Sequence, residues 1–195
     1  MTPAVRRIGS GAVNPLDGLR REHSNMRSVL ALIGRQLDLL QAETGNDTVL
    51  LLNALYYMRK FPGAVHHPKE DAIFERLAAV EPGWRDEVAK LREQHHEIYQ
   101  LEDWLMEAAL EMPKPGEALR TRLIEFGRHY LQLQRRHSEF EEKMLFPQAL
   151  ASLEPADWNA IAARFKAVDD PLFGEHGGER FHLLYAHLLR EAAGQ

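Results

Sequence analysis

The sequence contains no cysteine. That excludes disulfides, thiolate nucleophiles, iron–sulfur clusters and sulfur-ligated zinc. It fits a reducing, cytoplasmic setting. No uninterrupted apolar run is long enough to span a bilayer, and the N-terminal stretch MTPAVRRIGSGAVNP lacks the apolar core of an export signal. There is no basic excess either. Lys and Arg number 24 against 29 Asp and Glu, for a net charge of −5, so nothing favours a nucleic acid or an anionic membrane as partner. No segment alternates apolar and polar residues with a β-branched bias, so no sheet is expected.

What remains is helical periodicity and ten histidines in a chain of 195 residues. Residues 1–13 read as a disordered tail. Asn14 and Pro15 form a start signal, with Asn at the cap and Pro in the first turn. A first helix runs to about Leu40, and residues 43–47 (ETGND) form a turn. A second helix runs from about Thr48 to Phe61, where Pro62-Gly63 predicts a break or kink. Helicity resumes near Val65 and ends before Glu81. A third helix spans about Trp84 to Glu111, and a fourth about Glu117 to Leu150. Two short helices follow, at about Pro155 to Val168 and Gly178 to Ala193.

This pattern predicts an all-α protein, an antiparallel up-down four-helix bundle with two short C-terminal helices. The bundle is assigned residues 14–152. Residues 153–195 form a helical extension packed on it, whose Trp158, Phe165, Phe173, Phe181 and Leu184 suit self-association, as in a homodimer, or a lid.

The apolar seams carry polar gaps. On the first helix Leu16, Leu19, Met26, Leu30, Ile33, Leu37 and Leu40 keep a three-and-four spacing, and His23 fills the gap. On the fourth, Leu123, Phe126, Tyr130, Leu133, Phe140 and Met144 keep it, and His137 fills the gap. On the third, His95 stands between Leu91 and Ile98 in a stripe that continues through Leu101 and Leu105. After the Pro62 kink, His66, Glu70, Ile73 and Leu77 share one face. Each helix of the bundle thus turns an imidazole inward.

A single inward histidine is more often a hydrogen-bonded core residue than a ligand. Four imidazoles and two carboxylates are a different matter. Each buried polar group left without a partner costs roughly 1–3 kcal/mol, against a total stability of about 5–15 kcal/mol. A metal centre satisfies them together. The spacing supports it: His66 with Glu70 and His137 with Glu141 are four residues apart, so each helix offers an imidazole and a carboxylate on one face. Either pair alone would read as a solvated ion pair. Nitrogen and oxygen donors without sulfur suit iron or manganese. Six ligands shared by two ions leave open positions, which suits small-molecule binding.

The local text LRREH ending at His23, VHHPKED, LREQHHEI and HSEFEEKMLFP resembles the hemerythrin-like HHE cation-binding family, over roughly residues 16–150. The resemblance implies two iron ions, with manganese or zinc as substitutes. It implies His23, His66, Glu70, His95, His137 and Glu141 as ligands, and the two glutamates as bridges. The oxygen-carrying members have five histidines and a His-x-x-x-His on the third helix. Here Tyr99 stands four residues after His95. His67, beside His66, is the residue placed to reach in as an extra ligand. The implied partner is a small diatomic molecule or peroxide, in binding, in sensing, or as the substrate of a di-iron enzyme in peroxide detoxification or iron delivery and repair. A third class is a bundle with a vestigial site, acting through protein interaction.

Several residues read as decoys. His96 shares a solvent face with Glu93, Gln100 and Asp103. His67 and Asp71 form a four-spaced pair on a less regular stripe. Glu93 with His96, and Glu179 with His182, mimic a ferritin-type motif without matching inward glutamates elsewhere. Glu142 replaces Glu141 if the fourth helix is overwound. Tyr130 reads as a core tyrosine, with a hydrogen bond toward the site as the alternative. His129, His176, His182 and His187 read as surface or capping residues.

Overall fold

The computed structural model describes residues 15–112, 116–166, 168–175 and 181–192. The predicted tail, the Asn14 cap, His176 and Glu179 lie outside them. Most of the described residues are helical, and none of them lies in a strand. The chain forms α1 (Pro15–Ala42), α2 (Thr48–Phe61), α3 (His67–Val80), α4 (Arg85–Leu110), α5 (Glu117–Phe140), α6 (Phe146–Ser152), α7 (Pro155–Ala162) and α8 (His182–Ala192). No described helix is long and apolar enough to cross a membrane.

α1 and α2 join through the turn at 43–47, where Gly45 takes φ 91°, a conformation that only glycine adopts without strain. Asp47 caps α2 by accepting a hydrogen bond from the Leu50 amide at 2.9 Å. So short a connection makes α1 and α2 antiparallel neighbours. α1, α2, α4 and α5 pack side by side in the cyclic order α1–α2–α4–α5.

The break or kink predicted at Pro62-Gly63 takes the form of a local distortion within a continuous helix. Residues Pro62–His66 form one π-helical turn, with the His67 amide donating to the Pro62 carbonyl, so α2 runs on into α3. A second π-helical turn, Glu141–Leu145, joins α5 to α6, closed by the Phe146 amide on the Glu141 carbonyl. The sequence explains both. Pro68 and Pro147 each stand two residues past a wide turn. A proline has no N–H to bond the carbonyl four residues back, and its ring crowds that carbonyl, here on Ala64 and Lys143. Widening the preceding turn relieves the crowding.

The wide turns shift the register of everything after them. Met144, expected on the seam, is 47% exposed, and Leu145 is buried in its place. Elsewhere the seams move by one residue. Val29 and Gly127 are buried where Leu30 and Phe126 were expected, and those two are partly buried.

The apolar interior comes in two separate bodies. One holds Met26 to Leu40 of α1, most of α2, Ile98 to Met112, and Leu123 to Leu133 of α5. The other holds Leu16 and Leu19, Ile73 to Leu77, Val88, Leu91, Leu145, Phe146 and Ala149. On each long element a seam histidine falls between the two.

α8 lies against α1 and α2, and α7 against α3. Phe181 and Leu184 are buried there. α7 is shorter than predicted, because the amides of Arg164 and Phe165 turn back onto Ile161 and Ala162 as a tight turn. Asp170 anchors the segment before α8. Its carboxylate accepts from the Tyr57 hydroxyl at 3.0 Å, Asn25 at 3.4 Å, and the amides of Leu172 and Phe173 at 2.9 and 3.0 Å.

Candidate metal centre

His23, His66, His67, Glu70, His95, His137 and Glu141 meet in the layer between the two apolar bodies, none more than 4% exposed. α1 supplies His23, the π-helical turn supplies His66, α3 supplies His67 and Glu70, α4 supplies His95, and α5 with its following wide turn supplies His137 and Glu141. The two sequence pairs converge. His66 Nε2 stands 3.1 Å from Glu70 Oε1, and His137 Nε2 stands 3.2 Å from Glu141 Oε1. His23 joins them, with Nε2 3.2 Å from Glu70 and 3.4 Å from Glu141.

His67, read from sequence as an extra to His66, is as deep as the others, at 1% exposed. Neighbouring helical residues normally point about 100° apart. The wide turn ending at His66 takes more residues per revolution, so successive side chains point closer together, and both rings face the interior with centroids 5.6 Å apart. His67 stacks on His95, with ring centroids 4.1 Å apart and planes 22° apart.

Four of the five imidazoles are held from outside by a hydrogen bond at Nδ1, and His95 Nδ1, which has none, meets only the Asp71 carboxylate. Glu142, itself bound by Arg27 at 2.9 Å, holds His23 at 2.9 Å. Glu22, bound by Lys69 at 2.9 Å, holds His66 at 2.7 Å. The Tyr99 hydroxyl lies 2.8 Å from His67, and Gln94 lies 3.0 Å from His137. Asp71 Oδ1 approaches His95 at 3.2 Å. All five therefore turn Nε2 inward, and outer partners of this kind fix the tautomer and orientation of metal-binding histidines.

Most of the inner atoms lack hydrogen bonds. Nε2 of His23, His66 and His67, and both oxygens of Glu70 and of Glu141, have no hydrogen-bonding partner despite their closeness. His95 Nε2 and His137 Nε2 face each other at 3.1 Å. Two nitrogens each about 2.1 Å from one ion, at a right angle, would stand about 3.0 Å apart. The donor atoms gather into two groups, His23 with His66 and Glu70, and His67 with Glu70, His95 and His137. Glu70 belongs to both. These residues fit cations of the nitrogen- and oxygen-loving kind.

The electrostatics divide the five imidazoles: against the opposing effect of burial, facing carboxylates raise His23, His66 and His95, whereas His67 and His137 are lowered. Burial opposes a charge on His23, but Glu141 and Glu70 outweigh it and raise its pKa to about 10. Burial and the neighbouring Glu70 push Glu141 up to about 7. Burial, with His95 beside them, holds His67 and His137 well below the usual imidazole range. They are neutral donors with an available lone pair.

The remaining sequence-marked residues lie elsewhere. His96 and His129 are exposed, near Gln100 and Glu97 respectively. His182 is exposed, and His187 lies 3.1 Å from Glu191. Glu141 faces His23 Nε2 within the layer, whereas Glu142 meets His23 Nδ1 from outside, and Asp71 approaches His95 Nδ1. Tyr130 donates to Glu102 Oε1 at 2.9 Å, and Gln134 donates to Tyr130 at 3.2 Å. Glu102, at 0% exposed, went unread. Its signal was present: Leu91, His95, Ile98, Glu102 and Leu105 keep the three-and-four spacing, whereas Leu101 leaves the seam and is only partly buried. Glu22 and Gln94 carried no such signal, because they act across helices.

A family model described as hemerythrin HHE cation binding domain matches residues 14–150. No curated protein matches the chain.

Proposed function

This chain belongs to the hemerythrin HHE cation binding domain family, and on that premise we propose that it holds two iron ions and uses them to bind or sense oxygen, nitric oxide or peroxide. His23 and His66 would hold one ion, and His67, His95 and His137 the other. Glu70 and Glu141 would be shared between them. Manganese or zinc would be substitutes. The observation that carries this reading is Glu70. It is fully buried, both its oxygens lack hydrogen bonds, and it stands in both donor groups.

When bound, the pair of ions supplies a redox-active centre for a small oxygen- or nitrogen-containing ligand. The chain's own residues do the rest. The two apolar bodies on either side of the layer keep bulk water out. The ring of Phe146 lies parallel to His23 at 5.7 Å, within 6°. The outer partners hold His23, His66, His67 and His137 in place before an ion arrives, which lowers the ordering cost of binding. So deep a layer admits only small ligands.

The test is elemental analysis after anaerobic ferrous loading, then absorption spectra with oxygen, nitric oxide and peroxide added in turn. Two irons per chain and a ligand-dependent band are expected. About one ion per chain, or a preference for zinc, would overturn the reading. Catalytic consumption of peroxide would place the same centre in the enzyme class.

A further inference from the structure

His67 Nδ1 faces the Tyr99 hydroxyl at 2.8 Å, and its Nε2 faces the donor group of Glu70, His95 and His137 without a hydrogen bond. A neutral imidazole carries one proton, on either nitrogen. With the proton on Nε2, the N–H would point into the layer and leave no lone pair for an ion. With it on Nδ1, the N–H donates to the phenol oxygen and the inward nitrogen is free.

Tyr99 is built to hold that oxygen still. It stands one turn after His95 on the same side of α4. The Arg59 guanidinium lies 5.0 Å from its ring centroid, and Asp103 fixes Arg59 with contacts of 2.7 and 3.2 Å. On the other side the π-helical turn comes close. A Cβ added at Gly63 would meet Tyr99 Cε1 at 3.2 Å. The turn that brings His67 inward and the phenol that meets its Nδ1 are thus packed on one another.

We propose that Tyr99 is the positioning residue that commits His67 to the Nδ1–H form, so that His67 serves as the third nitrogen donor of the second ion position in place of an imidazole on α4. The donor role rests on the two-ion reading above; the tautomer assignment does not.

Two measurements test it. Long-range proton–nitrogen NMR on the metal-free, nitrogen-labelled protein reports which nitrogen of His67 carries the proton. The expected result is Nδ1 in the wild type, with a shift toward Nε2 in Tyr99→Phe, a change that removes the hydroxyl and keeps the ring. Anaerobic ferrous titration against a chelator is expected to show two steps in the wild type. In Tyr99→Phe the step that His67→Ala removes should weaken about 10–100-fold, and the other step should stay. A proton on Nε2 of wild-type His67 overturns the proposal, and needs no variant. Equal weakening of both steps, or no change in either, overturns the donor role. A wild type with the proton on Nδ1 that takes up no ferrous iron overturns the two-ion reading and upholds the tautomer assignment.

Discussion

Ferrous iron should raise the melting temperature of this protein, and Glu70→Ala should abolish the rise. The magnitude follows from the two donor groups, which share Glu70. An ion that binds only the folded state, at a free concentration 100 times its dissociation constant, adds about 2.7 kcal/mol. Two such ions add about 5.4 kcal/mol. At about 2–4 °C per kcal/mol for a chain of this size, the full shift is about 10–20 °C. Glu70→Ala takes a carboxylate from both groups and should leave a shift near zero. His23→Ala touches one group and should leave about half. His129→Ala alters an exposed residue paired with Glu97 at 2.8 Å and should leave the shift intact. The assay is anaerobic thermal unfolding followed by circular dichroism, with and without ferrous iron, each variant referred to its own metal-free melt. Coincident melts of the metal-free and loaded wild type would refute the inward arrangement. A full shift retained in Glu70→Ala would refute the sharing of that carboxylate.

Two further outcomes are expected. Glu142→Ala and Glu22→Ala release the Nδ1 atoms of His23 and His66, and each should weaken ion binding about 10–100-fold without changing stoichiometry; unaltered affinity in chelator competition would count against their role. Burial raises Glu102 to a pKa of about 8 from its ordinary 4.5, the Tyr130 hydrogen bond offsetting only part of it. Between those values the folded state keeps a proton that the unfolded state has lost. Stability should therefore fall as pH rises, by up to about 1.4 kcal/mol per unit, and flatten above pH ~8. Glu102→Gln should remove that contribution in urea unfolding of the metal-free protein, and parallel pH curves for the two proteins would refute it.

The helices were legible because each presents a long periodic stripe, and His23, His95 and His137 stood out as gaps in those stripes. The all-α class follows from the same signal. The two wide turns were not legible. A π-helical turn adds one residue to a helix and leaves the composition of the stripe unchanged, so Pro62-Gly63 read only as a break or kink and Met144 as a seam residue. The depth of His67 was hidden for the same reason. Helical spacing allows only one of two adjacent histidines to point inward, and it took an inserted residue to admit both. The outer partners were hidden for another. Glu22 reaches His66 from 44 positions away, and Glu142 reaches His23 from 119; no local pattern encodes contacts across helices.

The polar layer divides the interior into two apolar bodies, and that division bears on how the molecule comes apart. Single domains unfold all at once when their core contacts run through without interruption. Here the joint between the halves consists of imidazoles and carboxylates, many of whose inner atoms have no hydrogen-bond partner. Ions would act as rivets across this joint. In the metal-free chain the half built from α3, α6 and α7 is expected to open separately from the half built on α2 and the far ends of α4 and α5, as an independent cooperative unit. Hydrogen exchange would then find amides of α6 opening well before those of α2 without metal and together with them when loaded; one common exchange rate in both states would mean that the halves are joined by the helices alone.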